Sequence, residues 1–361
     1  MQRCLEPGCS RFIDYHDNDS PISPAESREK GSLQLTAETL VEKYREEQFV
    51  IDDFTDESSP KILPQALVYD NSVHKKALKD IVVRVDMEYS DYAIPGAIRS
   101  EAQQLLAIQK NRNPELTDAA MARLNDIVEE EGKLALLLSR ASYFDYLATN
   151  YSMDLKPAAW PKTLREKLHG ARLPSLKESL LANHIGIGVL LFTRDGYLIL
   201  QRRADEKLSI RPSQLAPSVS GAAEFKDLKE GNAAPVYNLF LREGKEELNL
   251  DMEDYEASSI QLLGITRELL RGGKPEIFFS ATLRLDSSEI RIKSRSAKDR
   301  WENEATAFFE FESFSAIKAG LRGEGLPKTM KKDIQQLREA YENISLPLLT
   351  GLTLWYQYYS A

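Results

Sequence analysis

The stretch HIGIGVLLFTRDGYLILQRRA (His184 to Ala204) limits the possible folds more than any other part of the chain. Two apolar runs flank Asp195-Gly196. An Asp-Gly pair between such runs is the strongest short signal for a tight hairpin, because both residues accept the backbone angles the turn needs. An antiparallel strand pair is therefore expected here. LAPSVSGAAEF then reads as strand, glycine turn and departure, and a helix over about Ala234 to Leu248 follows. IQLLGITREL, PEIFFSATLRL (Pro275 to Leu285) and ATAFFEFES are rich in branched and aromatic residues and read as further strands. Helices over about 328–343 and 345–359 close the chain. A hairpin, a strand, one helix, more strands and terminal helices make an α+β domain.

That domain uses about half of the 361 residues, and the length itself favours two domains. Residues 1–35, rich in Ser, Asp, Pro and Glu, are expected to be flexible. Residues 36–170 read as a mainly helical α/β domain. TAETLVEKYREEQ opens on Thr36 in a capping pattern. KDIVVRVDMEY (Lys79 to Tyr89) has strand composition, and PGAIRSEAQQLLAIQKN and the run from Thr117 to about Tyr151 read as helices. LKPAAWPKTLREKLHGARLPSLK (Leu155 to Lys177) is a linker or a short connecting helix, which puts the boundary near residue 170. The further divisions are 171–325 and, for the closing helices, 326–361. GGKPE (Gly272 to Glu276), between two expected strands, reads as a turn or a substrate loop, with the turn favoured.

A net charge of −9 argues against a general nucleic-acid coat, which needs a basic face. It leaves room for a local basic pocket that holds a small anionic substrate. The two cysteines, Cys4 and Cys9, do not make a disulfide scaffold at this length and suit a reducing, cytoplasmic setting. With His16 they form C-x4-C-x6-H, which lacks the fourth ligand that a structural zinc site takes. The first 35 residues lack the apolar core of a secretory signal. ISLPLLTGLTLWYQYY (Ile344 to Tyr359) is too short and too broken for a membrane span and reads as a docked helix.

Chemistry enters with LREGKEEL (Leu241 to Leu248). Glu243, Glu246 and Glu247 stand at i, i+3 and i+4, on one helix face. Most such runs are solvated faces. Three carboxylates this close repel one another unless a cation lies between them, and hard divalent ions prefer oxygen ligands. Arg242 can fix a carboxylate by a two-pronged hydrogen bond. A glycine turn precedes the helix, and the strand before it ends in Arg202 and Arg203, side chains suited to phosphate.

REGKEELNL (Arg242 to Leu250) resembles the second half of a Nudix box, R-E-U-x-E-E-x-G-U with U a bulky aliphatic. SGAAE (Ser220 to Glu224) resembles its glycine start, and GVLLFTRDGYLILQRR resembles the family's first hairpin. The resemblance covers roughly residues 183–315, with the elements in the family's order. There are departures. The family's glycine and arginine lie about fourteen residues apart, whereas Gly221 and Arg242 are separated by an insertion within FKDLKEGNAAP. The family's first box glutamate falls on Ala234, with Glu230 a nearby substitute for its salt bridge to the arginine. Gly244 takes an aliphatic position, at a helix cost of about 1 kcal/mol. Asn249 takes the terminal glycine position, a mild change because asparagine tolerates a left-handed C′ conformation.

The resemblance implies a Nudix-type α/β/α sandwich around a mixed sheet. It implies Mg²⁺- or Mn²⁺-dependent cleavage of a nucleoside diphosphate linked to another moiety, a nucleotide sugar being the first guess. Glu243, Glu246, Glu247 and a carbonyl at Ser220 or Gly221 would hold metal, with Glu243 also able to orient water. Arg242 would position a glutamate, Arg202 and Arg203 would meet the diphosphate, and Glu224 would act as ligand or orienting group. Glu302 and Glu304 are candidates for a late-loop base. A rival keeps the fold as a weakly active or inactive nucleotide-binding sensor. The isoprenoid-diphosphate isomerase branch uses a strand cysteine, which this domain lacks. Residues 36–170 show no nucleophile triad, phosphate loop or histidine cluster, and are expected to shape substrate choice or homo-oligomerisation.

Overall fold

The structure is a computed structural model that describes residues 12–13, 36–54, 60–85, 91–204, 214–228, 235–299, 303–320, 325–341 and 343–361. Cys4, Cys9, His16, Glu230, Ala234 and Glu302 lie outside the described residues. In chain order the strands are β1 (Phe12–Ile13), β2 (Phe49–Asp52), β3 (Lys61–Asp70), β4 (Ile81–Val85), β5 (Ala120–Glu130), β6 (Lys133–Ser142), β7 (Gly186–Phe192), β8 (Tyr197–Arg203), β9 (Leu215–Ala216), β10 (Val219–Ala222), β11 (Gln261–Glu268), β12 (Lys274–Thr282) and β13 (Asn303–Glu310).

The main sheet runs β1-β13-β8-β7-β12-β11-β3-β2, with β10 added to β7 and β9 to β8. β7 and β12 are parallel and the other pairs antiparallel, so the sheet is mixed. All seven residues of β7 are buried, as a strand covered on both faces requires. Its side chains divide by alternation. Val189 and Leu191 face one core with Phe240, Leu248 and Leu250 around the helix Pro235–Leu248. Leu190 and Phe192 face the other with Ile334, Leu352 and Trp355 of the closing helices, Gly325–Ala340 and Leu346–Ser360. The result is the expected α/β/α sandwich. Each fully buried large apolar side chain contributes about 1.5–3 kcal/mol.

The N-terminal part departs from its reading. The span from Thr117 to Tyr151, expected as helices, opens with the hairpin β5–β6, and only Tyr143–Tyr151 is helical, with a π-helical turn over Leu147–Tyr151. Leu- and Ala-rich β6 has good helix propensity, which pairing overrides. The turn residues Glu131 and Gly132 have φ of 49° and 78°, the positive values of a two-residue hairpin turn. β4, β6 and β5 form a separate three-stranded sheet, whose Leu124, Leu136 and Leu138 join the core around the helix Pro235–Leu248. Residues 49–70 supply β2 and β3 to the main sheet, so the boundary expected near residue 170 does not divide that sheet.

The linker does contain a short helix, Leu164–Leu168, started by a Thr163/Glu166 capping box. Buried Arg165 ties it down by bonding both oxygens of Asp154, at 2.5 and 2.6 Å, the Tyr44 hydroxyl at 2.9 Å and the Leu269 carbonyl at 2.7 Å. Among the described residues no helix is long and apolar enough to cross a membrane.

Candidate active site

The helix Pro235–Leu248 ends where the sequence reading places its stop. Asn249 has φ of 56°, its amide bonds the Lys245 carbonyl, and the Leu250 amide bonds that of Gly244. Leu250 drops into the core, the apolar contact that accompanies such caps. Gly244 also has a local reason. A Cβ there would overlap the hydroxyl of Tyr255, a buried ring that packs on Phe240 at 5.0 Å. Tyr255 fills the space that an aliphatic side chain would need.

On the opposite helix face Arg242 gathers the carboxylates. Its guanidinium donates to Glu246 Oε2 at 2.6 Å, Glu243 Oε1 at 2.7 Å, Asp227 Oδ2 at 2.9 Å and the Ala222 carbonyl at 3.0 Å. Glu224 Oε1 lies 3.7 Å away. Burial opposes the Arg242 charge, but Glu243 and Asp227 outweigh it and raise the guanidinium pKa above its ordinary value. Asp227 is the residue the sequence reading missed. It sits on the single turn Phe225–Leu228 inside the insertion, also accepts from the Glu224 amide at 3.3 Å, and makes with Arg242 the kind of salt bridge expected of Glu230, which lies outside the described residues. The only sequence signal was a carboxylate within the longer loop.

The other carboxylates are placed by β10. Glu243 lies against Gly221, where any Cβ would overlap its carboxyl group. Glu247 Oε1 accepts from the Ser220 amide at 3.2 Å. Both glutamates are more than nine-tenths buried. Glu246 Oε1 accepts from Lys298 at 2.8 Å. Burial opposes ionisation of Glu246, but the Lys298 and Arg242 hydrogen bonds prevail and lower its pKa.

Glu243, Glu246, Gly221, Glu224 and Arg203 line one cleft of about 650 Å³, within the usual range for ligand sites. Arg203 also reaches the Ser220 hydroxyl at 3.3 Å. Strand alternation sends Arg202 elsewhere, with its guanidinium 5.9 Å from the Tyr341 ring, and it does not line the cleft. Glu304 is exposed on β13 and is likewise not part of the lining.

The far wall includes Arg271, Lys274 and Glu276. The GGKPE segment is a turn, with Gly272 and Gly273 at φ of 63° and 76°, and it also delivers Lys274 and Glu276 to the cleft. Met121, Tyr143 and Tyr146 bring the N-terminal part into the same wall.

Among the described residues no three His, Cys, Asp or Glu side chains already converge as a metal shell, because Arg242 stands between Glu243 and Glu246. The donor set nevertheless suits a hard divalent ion. It is all oxygen, and Gly221, with no side chain, lets the Glu243 carboxylate lie directly against β10.

No family model matches the chain. Mouse (Mus musculus) uridine diphosphate glucose pyrophosphatase NUDT22 is 28% identical over 232 residues, 59% of this chain and 70% of that protein. Its human (Homo sapiens) counterpart is 30% identical over 197 residues, 49% of this chain and 60% of that protein, so this match spans less than two thirds of the relative. Among solved structures, DR0079 from Deinococcus radiodurans matches at 18% identity, over 40% of this chain and 80% of that one, with a TM-score of 0.25. A C. elegans Ap4A hydrolase matches at 16%, over 44% and 99%, with a TM-score of 0.24. The mixed-sheet sandwich and the carboxylate-bearing helix in the C-terminal half have the form that the Nudix resemblance implies, and the chain is similar to these two curated relatives over 59% and 49% of its length.

Proposed function

We propose that this chain is a Mg²⁺- or Mn²⁺-dependent hydrolase that cleaves the diphosphate bond of a nucleoside diphosphate linked to another moiety, with a uridine diphosphate sugar as the first substrate to test. The observation that carries this reading is the clamp on the box helix: Arg242, anchored by Asp227, holds Glu243 beside Gly221 and Glu246 at the cleft. Glu243, Glu246 and Glu247, with the Gly221 carbonyl, would hold the metal. When bound, a divalent ion neutralises phosphate charge and makes bound water more acidic.

The chain's own groups do the rest. Arg242 keeps the carboxylates oriented against their mutual repulsion, Arg203 offers its guanidinium to the diphosphate, and Glu224 faces the same space to orient water. The mouse and human relatives, named as uridine diphosphate glucose pyrophosphatases, support this substrate class. The scarcity of cysteines supports a cytoplasmic setting.

One observation favours a nucleotide-binding protein without turnover: both oxygens of Glu246 are held by cations, Arg242 and Lys298. Chromatography of a panel of nucleoside-diphosphate conjugates, incubated with and without Mg²⁺, separates the two. Metal-dependent appearance of a nucleoside monophosphate and a phosphorylated second product supports the hydrolase. Binding without products supports the second reading.

A further inference from the structure

Two polar atoms in the cleft wall have no partner of their own. Tyr146 and His184 both line the cleft and are 0% and 3% exposed. Their rings stack with centroids 3.9 Å apart at 15°, which fixes both in place. The Tyr146 hydroxyl and His184 Nδ1 are buried and make no hydrogen bond. Arg271 is close enough to bias the phenol, but not in hydrogen-bond geometry. Buried polar groups are almost always paired, so two such atoms side by side on a cleft wall point to a ligand.

The surroundings define what that ligand offers. Arg271 pairs with both Glu268 and Glu276, and Lys274 approaches Glu276 at 3.5 Å. The wall's charges are thus matched among themselves. Burial, reinforced by Lys274 and Arg271, keeps His184 neutral by lowering its pKa well below the usual value. Burial likewise holds Tyr146 as the protonated phenol. The pair therefore presents an O–H donor and a neutral ring nitrogen, which suit the hydroxyls of a sugar or the edge of a nucleobase and bring no charge of their own to a phosphate.

We propose that Tyr146 and His184 form a specificity wall that hydrogen-bonds a neutral polar group of the substrate, on the nucleoside or on the moiety joined to it. The inference rests on the proposed cleavage of a nucleoside-diphosphate conjugate. It assigns part of the substrate choice to the N-terminal part of the chain, which supplies Tyr146.

The test compares the full chain with its Tyr146→Phe, His184→Leu and His184→Asn variants on UDP-glucose, ADP-glucose and UDP-xylose, with Mg²⁺ and with melting temperatures recorded. Tyr146→Phe and His184→Leu are expected to raise KM for UDP-glucose about tenfold or more, with kcat within about threefold, since a site built for a hydrogen bond discriminates strongly when the bond is lost. His184→Asn keeps a polar group in place and is expected to recover most of the loss.

A variant effect that persists with UDP-xylose and vanishes with ADP-glucose puts the contact on the base. The reverse puts it on the sugar. Unchanged KM for all three conjugates in folded variants overturns the proposal. If the wild type cleaves none of the three, the proposed activity has failed, and calorimetric binding of UDP-glucose then decides the wall separately. Weaker binding by Tyr146→Phe sustains it, and equal or absent binding overturns it.

Discussion

The carboxylate of Glu243 occupies the space that a Cβ would take at Gly221. Gly221 of β10 and Glu243 of the helix Pro235–Leu248 are thus one device: the missing side chain on β10 makes room for the carboxylate, and Arg242 holds it there at 2.7 Å.

Replacing Gly221 with alanine should therefore act on the site more than on the fold. The group that must move is the far end of a flexible side chain, so the melting temperature should change little. Mn²⁺ affinity, measured by calorimetry, should fall about tenfold or more, the scale seen when a metal ligand is mispositioned. Unchanged affinity would remove Glu243 from the metal site.

Lys298 holds Glu246 Oε1 from an exposed position on the cleft rim. Arg242, in contrast, is anchored by four partners. A metal ion that needs Glu246 must displace the lysine, so Lys298→Ala should bind Mn²⁺ several-fold more tightly at low salt, with the advantage shrinking as salt screens the exposed pair. Equal affinities at low salt would show that the ion never uses this oxygen.

Gly244 invites a naive stabilisation. Glycine to alanine in a helix interior ordinarily gains about 1 kcal/mol. Here the new Cβ meets the Tyr255 hydroxyl, so Gly244→Ala should instead destabilise the chain by about 1–3 kcal/mol. With Tyr255→Phe the nearest ring atom is Cζ at 3.3 Å, and the double variant should recover most of that loss in a urea melt. If Gly244→Ala alone stabilises the protein, Tyr255 is not what excludes a side chain.

His169 sets an acid limit. It is buried, its Nδ1 lies 2.7 Å from the Tyr44 hydroxyl, and burial with nearby Arg165, Arg267 and Lys43 lowers its pKa to about 3. Between the ordinary value of 6.5 and about 3, the unfolded chain binds a proton that the folded chain refuses. Stability is then lost as pH falls, at up to about 1.4 kcal/mol per pH unit from this one group. His169→Gln should flatten that part of the curve relative to wild type in denaturant titrations from pH 7 to 4. Parallel curves would contradict the assignment.

Much of this was legible in the sequence because local chemistry and tertiary structure agree there. Asp195-Gly196 turns the hairpin, Asn249 ends the helix at positive φ, and the i, i+3, i+4 glutamates share a face. Four features were not legible, each for its own reason. The Leu-rich β6 has helix composition, and only its pairing with β5 around Glu131-Gly132 makes it a strand. Asp227 anchors Arg242 from within a loop, where no spacing rule points to it. The distribution of Arg202 and Arg203 to different surroundings depends on which face of β8 is which, and two adjacent arginines do not reveal that. Tyr255 behind Gly244 is a contact between distant segments, invisible until both are placed.

The most direct test is the rate of UDP-glucose cleavage with Mg²⁺ and with chelator, in the wild type and in a Glu246→Gln/Glu247→Gln double variant of the full chain. The account predicts cleavage that requires the metal and falls by about a hundredfold or more in the double variant, as loss of transition-state charge stabilisation would cause. Cleavage that survives in the double variant, or that ignores the chelator, would contradict it.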